Sequence, residues 1–218
     1  MSTARDEILG RIRTALSDVT EADPARDVPV AWQYGRATDI ADVLGLFVER
    51  VEDYRAIVER VPVADVPEAV VRHLRDTGAT TVVLPVGIDA AWRAAIGASG
   101  LGVLSDEPAL SHDELNRVDA VVTAAAVGIA ETGTFVLDHR PDQGRRALTL
   151  VPDRHVCVVR ADQVVTDVPE AVARLAASVA EGLPLTWVSG PSATSDIELE
   201  RVEGVHGPRT LHVLLIGD

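Results

Sequence analysis

The stretch DVPEAVVRHLRDTGATTVVLPV, Asp65 to Val86, changes its hydrophobic period halfway along. Asp65 stands where a helix N-cap belongs, Pro67 suits the first helical turn, and Gly78 closes the three-and-four apolar spacing. Thr80 to Val86 then reads as a β-branched strand. The next residues repeat the unit, with DAAWRAAIGASG (Asp89 to Gly100) as a helix and LGVLS (Leu101 to Ser105) as a short strand. Helix and strand in regular alternation predict an α/β fold on a mostly parallel sheet, with helices on both faces.

Downstream, Ser111 and Glu114 are spaced as a capping box. Three apolar runs follow, at Ala120 to Ala126, Ile129 to Leu137 and His155 to Arg160, with little helical signal between them, so some antiparallel pairing is expected. The hexapeptide DVPEAV occurs at Asp65 to Val70 and again at Asp167 to Val172. Shared capping chemistry accounts for the recurrence without a duplication. The second copy opens a helix reaching about Glu181, and the strands LTWVS and TLHVLLIG complete the chain. Upstream, Ile8, Ile12, Leu16 and Val19 mark a helix from Thr3 to Val19, and Glu21 to Arg36 reads as an extended connection carrying Trp32 and Tyr34. A second helix is predicted from Asp39 to Arg60. The expected division is an N-terminal helical extension over residues 1–62 and an α/β domain over 63–218.

Composition narrows the function. The 218 residues carry a formal net charge of −14, which disfavours phosphate polymers and anionic membranes as partners. Every one of the 20 cationic side chains is Arg, so no Schiff-base lysine and no P-loop lysine exists. Cys157, the single cysteine, lies in the apolar run HVCVVR and reads as a buried hydrophobe. One thiol supports neither an internal disulfide nor the ligand set of an iron–sulfur cluster. The N-terminus lacks a signal-peptide core and no run reaches membrane-spanning length, so the cytoplasm is the expected location.

Four segments carry candidate chemistry. In GIAETGTFVL, Glu131 sits in an apolar context beside Thr132, Gly133 and Thr134. It is either a base or nucleophile facing a cleft, or a solvent-facing strand residue beside a bulge at Gly133. In DHRPDQGRR, Arg145 and Arg146 offer forked donors to a carboxylate or phosphate, or balance neighbouring acids at the surface. In SGPSATSDIE, Ser189, Gly190, Ser192, Thr194 and Ser195 place hydroxyls and backbone N–H groups after a strand, at the expected carboxyl end of the sheet. Asp196 and Glu198 follow, and the same residues also suit a helix cap. In VEGVHGP, His206 stands between glycines, free to present its ring to a cleft or to serve structure. No metal site is expected, because the histidines lack ligand spacing.

The segments IAETGTFVL, RALTLVPDRHVCVVRADQVV, TWVSGPSATSDIE and GVHGP before a terminal apolar strand resemble the lactate-utilization protein C family, the LUD-domain proteins. The likeness covers Val121 to Asp218 in motif order and spacing, and the first half in layout. It implies a Rossmann-like fold of the sugar-phosphate isomerase and CoA-transferase group. It further implies a cytoplasmic role in oxidising L-lactate to pyruvate with two iron–sulfur partner proteins. Clusters then belong to the partners, and this chain binds no cofactor. Within that frame the chain binds a small carboxylate or stabilises its partners. The alternative is an autonomous CoA-transferase- or ligase-like enzyme, with Glu131 as acyl carrier or base and the Gly-Pro-Ser loop cradling a phosphate. A scaffolding module without a ligand is the third reading.

Overall fold

A computed structural model describes residues 4–21, 23, 26, 38–194, 202–203 and 207–217. In chain order the elements are α1 (Ala4–Ala15), α2 (Val43–Asp53), β1 (Ile57–Val61), α3 (Val66–Asp76), β2 (Thr81–Leu84), α4 (Ala90–Ala98) and β3 (Gly102–Ser105). Then come α5 (His112–Leu115), β4 (Ala120–Ala124), β5 (Val127–Ile129), β6 (Thr134–Leu137), β7 (Arg154–Arg160) and β8 (Val164–Val165). The last are α6 (Val168–Arg174), α7 (Ala176–Ala180), β9 (Thr186–Val188), β10 (Ala193–Thr194), β11 (Val202–Glu203) and β12 (Thr210–Ile216). The chain divides into Met1–Arg36, which holds α1, and Ala37–Asp218, which holds the remaining elements.

Six strands form a wholly parallel sheet in the order β1-β12-β7-β4-β2-β3. Successive residues on each strand point to opposite faces. Val82, Leu84, Ala120, Val122, Val156, Val158, Leu214 and Ile216 enter one core with α3 and α4. Val83 and Val121 face the other way and pack with Leu115, next to Cys157, Val159, Val213 and Leu215 of the adjoining cluster. Because both faces are covered, the strands read as unbroken apolar runs. Each fully buried Val or Leu contributes about 1.5–3 kcal/mol. Capping follows local chemistry: Asp89 accepts from Ala91 and Trp92 N–H, and Ser111 with Glu114 forms the expected box. Asp167 accepts from Glu170 N–H at 3.0 Å. Asp65 makes no such bond, because it closes a 3₁₀ turn from Val63 before α3 begins.

A second sheet, ordered β8-β5-β6-β9, lies over the Cys157 face. Phe135 and Leu137 of β6 pack inward with Phe47 of α2, while Val136 turns outward against Ala171 and Leu175. After β6 the chain meets the carboxyl ends of the central strands: Gly87 N–H donates to Pro141 O (2.8 Å) and Ala124 N–H to Asp142 O (3.1 Å). Since β9 runs antiparallel to β6, it travels the other way and delivers Ser189 to the amino ends of β7 and β12. Ser192 N–H, donating to Pro208 O at 2.8 Å, ties that loop to the approach of β12.

Two expectations change and one is met in part. The helix expected to reach Arg60, at the end of an extension over residues 1–62, stops at Asp53. Arg55 adopts φ +68°, and Ile57–Val61 pairs with β12 as an edge strand. IVERV fits both periods, and pairing with β12 decides between them. Some antiparallel pairing was expected among the runs 120–126, 129–137 and 155–160, and it is found at β6 of the middle run, whereas the first and last contribute β4 and β7, which are parallel neighbours. The antiparallel pairs of the second sheet are β5 with β6 and β6 with β9. The serine-bearing loop expected at the carboxyl end of the sheet lies at the opposite end, because β9 is not a strand of the central sheet. Trp32, Tyr34, Ser195, Asp196, Glu198 and His206 lie outside the described residues.

Candidate functional site

The tight β5–β6 turn is built by Ala130, Glu131, Thr132 and Gly133. Gly133 N–H reaches Ala130 O, and Glu131 N–H donates to Thr166 O at 3.0 Å. Gly133 has φ +57°, and an added Cβ would stand 2.5 Å from the Arg50 carbonyl of α2. Only glycine satisfies both conditions. The backbone of Glu131 is thus fixed, while its side chain is exposed and forms no hydrogen bond or ion pair with the described residues.

From this turn a line of hydroxyls crosses to the loop after β9. Thr132 Oγ1 donates to Thr134 Oγ1 (2.8 Å), and Thr134 Oγ1 lies 2.7 Å from Ser189 Oγ. Thr134 also reaches Thr132 O at 3.3 Å, and either hydroxyl can donate in its bond with Ser189, whose oxygen meets a pocket. That pocket, of about 150 Å³, is lined by Thr149, His155, Trp187, Ser189, Gly190, Ser192, Gly207 and Leu211, among others. At about 30 Å³ per liquid water, that is room for some five waters or a compact ligand. Gly190 makes the corner possible, with φ +93° and a Cβ position only 2.5 Å from Tyr54 Cβ.

No charged residue lines the described part of the pocket. His155, at its floor, is wholly buried, and burial pulls its pKa down to about 3. Its Nε2 lies 2.8 Å from Thr123 Oγ1, which in turn reaches Cys157 Sγ. Cys157 is buried, and burial pushes its thiol up to about 12, so neither nucleophile nor thiolate is present there. The chemistry on offer is neutral donation from hydroxyls within a weakly polar wall. Such a surface orients a small polar ligand through hydrogen bonds.

The structure therefore brings Thr132, Gly133, Thr134, Ser189, Gly190 and Ser192 to one end of the sheet, with Glu131 at the turn above them. Thr194 lies on β10, which pairs with β11. Arg145 and Arg146 stand apart. The Arg145 guanidinium grips Asp106 with both arms (2.6 and 2.9 Å) and also donates to Leu110 O. That strut joins the loop after β3 to the loop after β6. Arg146 is exposed and starts a 3₁₀ turn ending at Thr149. Sequence reasoning missed Thr149, His155 and Trp187. Each sits inside or beside an apolar run, where a pocket wall and a core position look alike. Among the described residues no cluster of three or more His, Cys, Asp or Glu is arranged to hold a metal ion, and no helix is long and apolar enough to cross a membrane.

Fold and pocket define a class: a doubly wound α/β protein whose parallel sheet carries an accessory mixed sheet, with a hydroxyl-lined pocket between them. The profile of the LUD domain matches residues 45–216, and the chain belongs to that family. It is 56% identical over 177 residues to Lactate utilization protein C of Deinococcus radiodurans, covering 81% of each chain. It is 34% identical over 126 residues to Lactate utilization protein C of Bacillus licheniformis, covering 55% of this chain and 52% of the other. Among solved structures, a DUF162 family protein from Deinococcus radiodurans superposes with a TM-score of 0.69 at 48% identity, over 83% of this chain and 99% of that one.

Proposed function

We propose that this chain is the cluster-free component of a cytoplasmic system that oxidises L-lactate to pyruvate, and that it holds a small carboxylate in the hydroxyl-lined pocket. Removing two electrons and two protons from lactate needs an electron acceptor. The likeness to the lactate-utilization family implies iron–sulfur partner proteins as that acceptor, and the clusters fall to them because the single cysteine of this chain is buried. The relatives' name, Lactate utilization protein C, supports a role in lactate utilization. The observation that carries the local reading is the hydroxyl line from Thr132 through Thr134 to Ser189, which opens on a pocket with no described carboxylate to repel an anion.

The test is genetic and biochemical together. A clean deletion strain loses growth on L-lactate and keeps growth on pyruvate. The wild-type gene restores it, and a Ser189→Val, Ser192→Val double variant of unchanged melting temperature does not. Affinity purification of the tagged chain from lactate-grown cells recovers cysteine-rich partners. Normal growth of the deletion strain on L-lactate refutes the reading.

A further inference from the structure

At the other end of the central sheet lies a cleft of about 470 Å³, remote from the hydroxyl pocket, with Asp138, Arg140, Gln143, Arg174 and Ser178 in its walls. It shares Asp142 and Gln163 with an adjoining cleft of about 390 Å³ formed by the carboxyl ends of β4, β7 and β12 and by Gly87 after β2. From β2 the chain passes outward to β3, and from β4 it passes inward to β7 and then β12. This reversal is the crevice where open α/β sheets accept ligands.

Asp138 is the informative residue. It follows β6 directly, only 3% of it is exposed, and it is a wall of the cleft. Its Oδ2 accepts from Ser178 Oγ (2.7 Å) and Arg140 Nε (3.2 Å). Its Oδ1 is buried and has no hydrogen-bond partner among the described residues. The nearby amides do not supply one. Gln143 Oε1 accepts from the Asp138 and His139 N–H groups. Gln163 Nε2 donates to Ala125 O, and Gln163 Oε1 accepts from Arg160 N–H. A buried carboxylate oxygen left unpaired is costly, so the cleft is built to receive a donor.

Charge decides which donor. Arg140 already lies against Asp138, and Arg174 lines the same cleft. Burial, and after it the neighbouring Asp138 charge, raises the pKa of Asp142. Both guanidiniums are themselves paired, Arg140 with Glu181 as well as Asp138 and Arg174 with Glu170, so an entering ammonium would give up its hydration for charges that are largely matched. A neutral hydroxyl meets no such cost.

We propose that this cleft is a second binding site, for a small hydroxylated molecule whose O–H donates to Asp138 Oδ1. The site is independent of the hydroxyl pocket and of the pathway assigned above. The experiment is a ¹⁵N–¹H NMR titration of the full chain with glycerol, glycolate and ethylammonium, alongside Asp138→Asn, with circular dichroism confirming its fold. The expected result is saturable shifts at the Asp138, Gln143 and Ser178 amides with glycerol or glycolate and none with ethylammonium. Binding weakens by about tenfold or more in Asp138→Asn. Stronger shifts with glycolate than with glycerol support the site and add Arg140 and Arg174 as an anion contact. Should the variant fail to fold, a crystal structure of the wild-type chain with glycerol replaces it, with a hydroxyl oxygen expected on Asp138 Oδ1. Ethylammonium binding, no binding by any probe, unchanged affinity in Asp138→Asn, or an ordered water that glycerol fails to displace each overturns the proposal.

Discussion

Lowering the pH from 7.5 to 5 destabilises this protein through two buried imidazoles. His155 is held neutral by burial, with its pKa pulled down to about 3. His212 is pulled down to about 4, first by burial and then by charge on His73, whose ring lies edge-on at 4.5 Å. Glu59 and Asp76 act on His212 in the opposite sense. In an unfolded chain a histidine titrates near 6.5. Both folded values are depressed, so the unfolded state binds more protons as the pH falls. The stabilisation is complete above about pH 6.5 and is lost on acidification through the folded values. At pH 5 the unfolded rings are almost fully protonated and the folded ones are not, which costs about 2 kcal/mol for each residue, or about 4 kcal/mol together. Against a typical total of about 5–15 kcal/mol this is a large fraction. Urea unfolding followed by far-ultraviolet circular dichroism at both pH values measures the loss. His155→Gln and His212→Gln each remove one titrating ring, so each variant loses about 2 kcal/mol less than the wild type over the same interval. Equal losses in the wild type and both variants would refute the reasoning.

Other outcomes follow from the same structure. Asp119 Oδ2 accepts four hydrogen bonds, from the backbone and hydroxyl of Thr80 and of Thr81 (2.7–3.0 Å), which outweigh its partial burial and bring its pKa down to about 2. Asp119→Asn therefore costs about 1–2 kcal/mol at pH 7, and the difference from wild type halves near pH 3, as measured by urea unfolding. Gly190→Ala combines a left-handed φ with a Cβ driven into Tyr54. It costs about 2 kcal/mol or more in chemical unfolding and abolishes binding at the hydroxyl pocket. Cys157 stays silent toward a colorimetric thiol reagent in the native state and reacts stoichiometrically in denaturant, given its complete burial and raised pKa.

The parallel core was legible in the sequence because each strand from Thr81 onward is bracketed by a capped helix or a turn. Ser111 and Asp167 cap as their spacing implied, whereas Asp65 does not. The second sheet was not legible. ETGT reads as a strand interior, and only pairing of Ala130 and Glu131 with β8 and the close approach of Arg50 make it a turn. The direction of β9 was equally hidden. An apolar triplet before Ser189 does not say which sheet it joins, and that choice alone places the serine loop at the amino rather than the carboxyl end. Of the pocket's hydroxyl residues, Ser189 and Ser192, but not Thr149, were named from the sequence. His155 was not, because in HVCVV a ring facing the pocket floor and a ring facing the core have the same neighbours. Asp138 enters the sequence reading only as one of the neighbouring acids that surface arginines could balance, whereas 3% exposure and an oxygen unpaired among the described residues set it apart.

The most direct trial of the hydroxyl pocket uses its own indole. Trp187 lines the cavity beside Ser189, so its assigned side-chain N–H resonance reports occupancy during titration with L-lactate and with pyruvate. Saturable movement of that resonance with either acid, abolished by Ser189→Val and retained in Arg145→Gln, is the predicted result. A resonance that stays fixed up to high millimolar acid, or one that moves equally in Ser189→Val, would contradict the assignment of this pocket as the carboxylate site.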